Sequence, residues 1–225
     1  MIDTIIFDGE GVIIDTETMW DRGQEEFLRR HGHTYDRENL KPLLTGRTVR
    51  EGVEIMQREY GIPGDVEQLA RERVEIVKDR LRDGVSYVPG FLDFFARIEG
   101  RYKTCIATSM PGELLDIVNA TLNLEKLFDG NIFTVEQVGN RSKPDPDIFL
   151  YAAKRLGSSV KTCLVIEDAP HGVEAAKRGG MMCIGLTTTY SRERLAAADL
   201  VVNSFVEINL EELDKLGETS RRLRR

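Results

Sequence analysis

Asp8 ends an apolar run, Thr4-Ile5-Ile6-Phe7, and is followed at once by Gly9-Glu10-Gly11-Val12. A carboxylate at the C-terminal end of a buried strand, above glycines that let the chain turn tightly, lies where open α/β sheets bind their ligands. Such a carboxylate can attack phosphorus, provided that a Mg²⁺ screens the negative charges that meet there. Thr108-Ser109 closes a second apolar run, where a hydroxyl and adjacent backbone N–H groups can hold phosphate oxygens. Lys143, in Ser142-Lys143-Pro144-Asp145, stands just before a helical pattern, so its ammonium can neutralise both nucleophile and phosphate. Glu167-Asp168 ends the run Cys163-Leu164-Val165-Ile166, and an acidic pair in that place suits Mg²⁺ with oxygen ligands. Taken singly, each residue has a plainer reading: Asp8 and Asp168 as turn residues, Thr108 as a strand residue, Lys143 as a solvated charge. Their coincidence at the ends of separate apolar runs outweighs those readings.

The elements that must position these groups follow from periodicity. Short β-like runs cover Thr4 to Asp8, Lys103 to Thr108, Ile132 to Val135, Cys163 to Glu167, Met182 to Leu186 and Asp199 to Val202. Helical patterns separate most of them. In Asp145-Pro146-Asp147-Ile148-Phe149, Asp145 is expected to cap a helix with Pro146 in its first turn and Ile148, Phe149, Ala152, Ala153 and Leu156 on one apolar stripe. The alternation predicts an α/β fold with a doubly wound parallel sheet.

The long interval between the first and second runs holds no convincing strand and exceeds what one crossover helix needs. Val53, Met56 and Tyr60 share a helical face, and Val66, Leu69, Ala70, Val74, Val77 and Leu81 make a longer stripe. An all-helical domain inserted over residues 17–86 is therefore expected, leaving 1–16 and 87–225 as the core. Met19, Trp20, Phe27 and Leu28 are expected to begin the insert's own hydrophobic centre.

The 225 residues suffice for a sizeable core. A net charge of −7 disfavours nucleic acid and anionic membrane as partners and points to a small ligand, with a monomer or weak dimer expected. The basic end Arg221-Arg222-Leu223-Arg224-Arg225 reads as a solvated tail. The start, Met1-Ile2-Asp3, lacks the basic region of a signal peptide, and no stretch is long enough to span a bilayer. Cys105, Cys163 and Cys183 each fall in an apolar run, which reads as reduced core thiols of a cytoplasmic protein. His31, His33 and His171 read as structural or surface histidines at helix ends.

These motifs, in this order, resemble the haloacid dehalogenase-like (HAD) superfamily, in its subfamily with a helical cap inserted after the first strand, which includes β-phosphoglucomutase and phosphoglycolate phosphatase. The resemblance runs from Ile5 to about Val202 and includes Gly11-Val12-Ile13-Ile14-Asp15-Thr16-Glu17, Val88-Pro89-Gly90, Lys143-Pro144-Asp145-Pro146-Asp147-Ile148-Phe149 and Glu167-Asp168-Ala169-Pro170-His171-Gly172. It implies a Rossmann-like core, a Mg²⁺ cofactor and a small phosphorylated metabolite as substrate. Asp8 would be the nucleophile and a metal ligand, with the backbone carbonyl of Glu10 and the carboxylate of Asp168 as further ligands. Glu167 would ligate the metal or orient its water. Thr108 and the Ser109 N–H would hold the transferring phosphoryl group, and Lys143 would bridge it to Asp8.

The family pattern has an aspartate as general acid and base two residues after the nucleophile, where this chain has Glu10. In the cap, Thr45-Gly46-Arg47-Thr48-Val49-Arg50 resembles the substrate-specificity loop, and a guanidinium from Arg47 or Arg50 would suit a distal anion. Trp20 stands where β-phosphoglucomutase-like enzymes have a hinge-region histidine, which favours a phosphatase over a mutase. The implied activity is a phosphomonoesterase. The alternatives are a sugar phosphate mutase and, because of Glu10, a catalytically impaired phosphometabolite-binding protein. The acidic pair disfavours a dehalogenase, and the lack of a recognisable cap lysine disfavours a phosphonatase.

Overall fold

The computed structural model describes residues 1–44, 47–211 and 213, without the side chains at 17, 18 and 83. Along the chain, β1 (Thr4–Phe7) precedes helices α1 (Glu17–Arg30), α2 (Arg37–Leu44), α3 (Val49–Tyr60), α4 (Val66–Asp83) and α5 (Phe91–Ile98). Next come β2 (Lys103–Thr108), α6 (Gly112–Leu122), α7 (Leu124–Leu127), β3 (Ile132–Thr134) and α8 (Asp147–Arg155). Then β4 (Cys163–Glu167), α9 (Pro170–Arg178), β5 (Met182–Leu186) and β6 (Leu200–Val202) follow. The chain divides into two compact units, Met1–Asp15 with Ser86–Arg225 and Thr16–Val85.

The first unit is built on one six-stranded sheet in the order β3-β2-β1-β4-β5-β6, parallel throughout. The expected α/β architecture is present, and the strands fall within a residue of the apolar runs that mark them. β1 lies in the middle, with Phe7 opposite Ile106 on one side and Ile166 on the other. From β1 the order steps outward through β2 and β3, then returns to β4 on its other side. The crevice at such a switch point is where an open α/β sheet binds its ligand.

Every residue of β1 is buried because helices cover both faces of the sheet. On one face Ile6, Cys105, Ala107, Val165 and Cys183 pack with Ile148, Phe149 and Ala152 of α8 and Val173 and Ala176 of α9. On the other, the Phe7 ring meets Phe91, Phe94 and Phe128 edge-on at centroid separations of 5.7, 6.3 and 5.8 Å. Each such buried ring is worth roughly 1.5–3 kcal/mol over an exposed one. The three cysteines are unpaired and buried, and burial pushes the Cys163 thiol up to about 12, as inert core thiols require.

One helix start differs from expectation. α8 begins at Asp147 with Pro146 at its cap position and no side-chain cap. Asp145 is used differently: its N–H donates to the Ser142 carbonyl at 3.1 Å and closes a turn ahead of the helix.

The second unit is helical. Phe27 and Leu28 of α1, Leu40 and Leu44 of α2, Val53 and Met56 of α3, and Leu69 and Ile76 of α4 form its core. α3 opens with a capping box in which Thr48 Oγ1 accepts from the Glu51 N–H at 3.2 Å and Glu51 Oε2 accepts from the Thr48 N–H at 2.8 Å. His31, at the end of α1, packs against the Phe27 ring at an interplanar angle of 48°, and its Nε2 lies 3.1 Å from Glu72 Oε2, a structural role. No described helix is long and apolar enough to cross a membrane.

Candidate active site

β1 hands the chain to Asp8 at the sheet's centre, where the Asp8 N–H still pairs with the Ile166 carbonyl of β4 at 3.0 Å. Beyond it the backbone folds back in a turn. Ile13 and Ile14 both donate to the Gly9 carbonyl, and Gly11 donates to the Ile14 carbonyl at 2.9 Å. Gly11 takes φ +74°, and a Cβ there would lie 1.9 Å from Asp168 Oδ2. Only glycine satisfies both the dihedral and the approach of that carboxylate.

Lys143 reaches this centre from the loop before α8. Its ammonium is buried and donates to Asp8 Oδ1, to Glu167 Oε1 at 2.8 Å and toward the Ala107 carbonyl at 3.4 Å. The Phe149 ring lies 4.7 Å from Nζ, so one side of the cation faces an aromatic plate. Glu167, 1 % exposed, uses its other oxygen to accept from the Asp168 and Ala169 N–H groups, both at 2.8 Å. Gly172 leaves room for this, since a Cβ there would lie 1.7 Å from Glu167 Oε1. Thr108 Oγ1 accepts from the Met110 N–H at 3.0 Å, which leaves its hydroxyl proton available to a ligand oxygen. Ser109, beside it, is exposed.

The electrostatics follow from crowding. Burial raises the Asp8 pKa to about 6; Lys143 opposes the shift and Glu167 adds to it. Asp168 is raised well above the ordinary carboxylate value by burial, then by the charges of Glu167 and Asp8. For Lys143, burial would depress the pKa, but Asp8 and Glu167 outweigh it and hold the ammonium charged. Three carboxylates thus share one cation, a deficit of positive charge in a buried place.

That deficit and the donor set test whether Mg²⁺ fits. Glu167 is committed to Lys143 and to backbone N–H groups, and among the described residues no three His, Cys, Asp or Glu side chains converge as a ready cage. Mg²⁺ does not need one. It is usually held by one or two carboxylates plus water and substrate phosphate, all hard oxygens. Asp8 and Asp168, with a carbonyl of the Gly9–Ile14 turn, meet that requirement, and Glu167 fits an orienting role better than a ligating one.

The remaining candidates lie in the helical unit. Arg50, exposed at the start of α3, has its guanidinium 3.3 Å from both Glu54 Oε1 and Glu67 Oε1, so its charge is answered locally. Arg47 is exposed; its N–H donates to the Leu44 carbonyl at 3.0 Å. Thr45 and Gly46, which precede it in the sequence, lie outside the described residues, as does the basic C-terminal run. Trp20 is partly buried and carries the guanidinium of Arg73 over its ring at 5.2 Å. Arg73 is itself 5 % exposed, and burial lowers its pKa to about 10.

Phe149 against Lys143 and Gly172 beneath Glu167 lie within the motifs quoted above, yet the sequence assigns neither of them a role at the site. Thr187 follows β5 as Asp8 follows β1, so the strand-end rule that marks Asp8 falls on Thr187, and Thr188 and Thr189 come one and two residues later.

Comparison with known proteins agrees with this geometry. The profile of the family described as "Hydrolase: haloacid dehalogenase-like hydrolase" matches residues 2–180. The validoxylamine A 7'-phosphate phosphatase of Streptomyces hygroscopicus subsp. limoneus is 30% identical over 209 residues, covering 92% of this chain and 96% of the relative. The fructose-1-phosphate phosphatase of Escherichia coli is 32% identical over 180 residues, covering 79% and 92% respectively. Among solved structures, CbbY from Rhodobacter sphaeroides in complex with phosphate superposes with a TM-score of 0.81 at 27% identity, over 95% of this chain and 100% of that one. The chain belongs to the haloacid dehalogenase-like hydrolases, in the branch that holds the β-phosphoglucomutase- and phosphoglycolate phosphatase-like members.

Proposed function

We propose that this haloacid dehalogenase-like phosphatase is a Mg²⁺-dependent hydrolase of a small phosphorylated metabolite, of the sugar phosphate or phosphoglycolate class, working through an aspartyl-phosphate on Asp8. The observation that carries the reading is the buried contact of Lys143 with both Asp8 and Glu167 at the switch point of the sheet, beside Asp168. The named phosphatases among its relatives and the phosphate bound by CbbY support the same chemistry.

Asp8 attacks phosphorus in line as the bond to the leaving oxygen breaks, and Glu10 gives that oxygen its proton. Glu10 then takes a proton from a water whose oxygen bonds to phosphorus, releasing inorganic phosphate and freeing Asp8. The Thr108 hydroxyl and Ser109 N–H orient the phosphoryl oxygens, and Lys143 offsets their charge while keeping Asp8 ionised. Mg²⁺ held by Asp8, Asp168 and the carbonyl of Glu10 supplies the further positive charge that two approaching anions need. In the helical unit, Arg47 is assigned to the distal end of the substrate.

The test is release of inorganic phosphate from a panel of sugar phosphates, phosphoglycolate and nucleotides, with Mg²⁺ and with excess chelator. Release from a sugar phosphate or phosphoglycolate in Mg²⁺ alone is expected. No release from any ester, or undiminished release in chelator, would overturn the reading.

A further inference from the structure

The loop that follows β5 touches both chain segments that would hold the metal. β5 lies beside β4, with Gly185 opposite Glu167, so the residues after Leu186 emerge next to Asp168. They are Thr187, Thr188 and Thr189. Thr188 Oγ1 donates to the Gly11 carbonyl at 2.5 Å, across 177 residues of sequence. The Thr189 hydroxyl hydrogen bonds to the Asp168 carboxylate. A Cβ on Gly11 would lie 1.9 Å from Asp168 Oδ2 and 2.8 Å from Thr189 Oγ1, so turn, carboxylate and hydroxyl are in direct apposition.

A carboxylate at the end of a short side chain can rotate about its terminal bond unless an oxygen is tied. Asp168 faces like charges on Glu167 and Asp8, which would turn it away from them. A hydroxyl donor on the other side opposes that rotation and holds the carboxylate in one orientation toward a cation. The Gly9–Ile14 turn is held by its own backbone bonds at its base, and Thr188 ties it to the core at Gly11.

We propose that Thr188 and Thr189 are positioning residues of the metal site: Thr189 fixes the Asp168 carboxylate and Thr188 fixes the turn that presents the carbonyl of Glu10. The proposal rests on the Mg²⁺ reading given above. It assigns to the β5–β6 loop control of Mg²⁺ affinity without contact with the substrate.

The experiment is calorimetric titration of MgCl₂ into the metal-free full-length chain, for the wild type, Thr189→Val, Thr189→Ser, Thr188→Val and Asp168→Asn, with urea unfolding of each metal-free protein. Thr189→Val keeps the shape and removes the donor. It is expected to weaken Mg²⁺ binding about tenfold to a hundredfold, the range for outer partners of metal ligands. Thr189→Ser should restore affinity, Thr188→Val should weaken it, and the metal-free unfolding midpoints of these variants should match wild type. Wild-type affinity in Thr189→Val, with binding lost in Asp168→Asn, would overturn the proposal and leave the metal reading intact. Equal binding by wild type and Asp168→Asn would overturn the metal reading and the proposal with it. A lowered metal-free midpoint in Thr189→Val that Thr189→Ser does not recover would make Thr189 a packing residue and also overturn the proposal.

Discussion

Lys143 and Asp8, 135 residues apart in sequence, are joined inside the protein by a salt bridge that Glu167 shares from the other side. The arrangement is asymmetric. Removing the cation leaves three carboxylates facing one another without compensation, whereas removing the Asp8 charge leaves Lys143 still paired with Glu167.

The two substitutions should therefore separate activity from stability. Asp8→Asn is expected to abolish turnover of a generic aryl phosphate while unfolding in urea within about 1 kcal/mol of wild type or above it, since a like-charge contact is relieved. Lys143→Met is expected to abolish turnover and to lose roughly 3–5 kcal/mol, the cost of stranding buried charge. Undiminished activity of Asp8→Asn would remove it as the nucleophile, and a Lys143→Met protein as stable as wild type would remove the charge argument.

Gly172 has no φ requirement, so its importance is purely one of space. In Gly172→Ala the new methyl would occupy the position of the Glu167 carboxylate, which must withdraw from Lys143. A displacement near an ångström at a catalytic group costs on the order of a hundredfold in rate. The kcat of Gly172→Ala should fall by about that factor with the helical content of the protein retained; a kcat within twofold of wild type would show that Glu167 can move without consequence.

The strand ends were legible because a buried parallel strand stays apolar as it approaches the ligand side, so the polar residue that closes the apolar stretch marks the site. Asp8, Thr108 and Glu167 all announce themselves this way. The same rule applied to β5 points at Thr187, yet a run of three threonines carries no charge and reads as a turn. That Thr189 meets Asp168 follows from β5 lying beside β4, which pairing decides and local pattern does not. Asp145 illustrates the converse: its type and spacing suit a helix cap, but the turn after Ser142 takes its N–H and moves the helix start to Asp147. For Arg50, the sequence shows a basic residue at a helix start, and only the placement of α4 reveals Glu67 beside it.

That pairing separates the two cap arginines. Arg47→Ala should raise KM for the physiological substrate much more than for a small aryl phosphate, because a grip on the distal end contributes nothing to a substrate without one. Arg50→Ala, whose guanidinium is answered by Glu54 and Glu67, should leave both KM values within about twofold. Equal effects of Arg47→Ala on both substrates would place it outside the specificity loop.

In the helical unit Asp21 accepts from Tyr35 OH at 3.0 Å, Arg37 Nε at 2.8 Å and Lys41 Nζ at 3.0 Å. Burial alone would raise its pKa, but these three donors hold it below 3.8. With the folded value below the unfolded one, the unfolded chain binds the extra proton, so the contribution is complete above 3.8 and is lost as pH falls through the folded value. Asp21→Asn should cost on the order of 1 kcal/mol at pH 7, the scale of a part-exposed ion-pair network. The difference from wild type in urea unfolding should shrink on acidification below 3.8; a constant difference from neutral to acid pH would show that the charge is not what stabilises.

Glu10 is the departure with the most direct kinetic consequence. Its backbone sits in the Gly9–Ile14 turn, bridged to Ile14, so a change of side chain leaves its carbonyl in place and Mg²⁺ affinity should survive. Its side chain carries one methylene more than aspartate and moves the carboxylate by roughly an ångström, a displacement that costs on the order of a hundredfold in rate. Glu10→Asp is therefore expected to raise kcat. The gain should be greater for alkyl phosphates, whose leaving oxygens need a proton, than for activated aryl esters, whose leaving groups need little. With aryl esters the wild-type enzyme should accumulate phospho-Asp8 when hydrolysis of that intermediate limits turnover, detectable as a burst of released phenol. The measurement is kcat of wild type and Glu10→Asp on both ester classes at equal Mg²⁺. If the aspartate variant is no faster on either, Glu10 already sits where the proton is needed, and the longer side chain is matched to this chain's own loop geometry rather than a handicap.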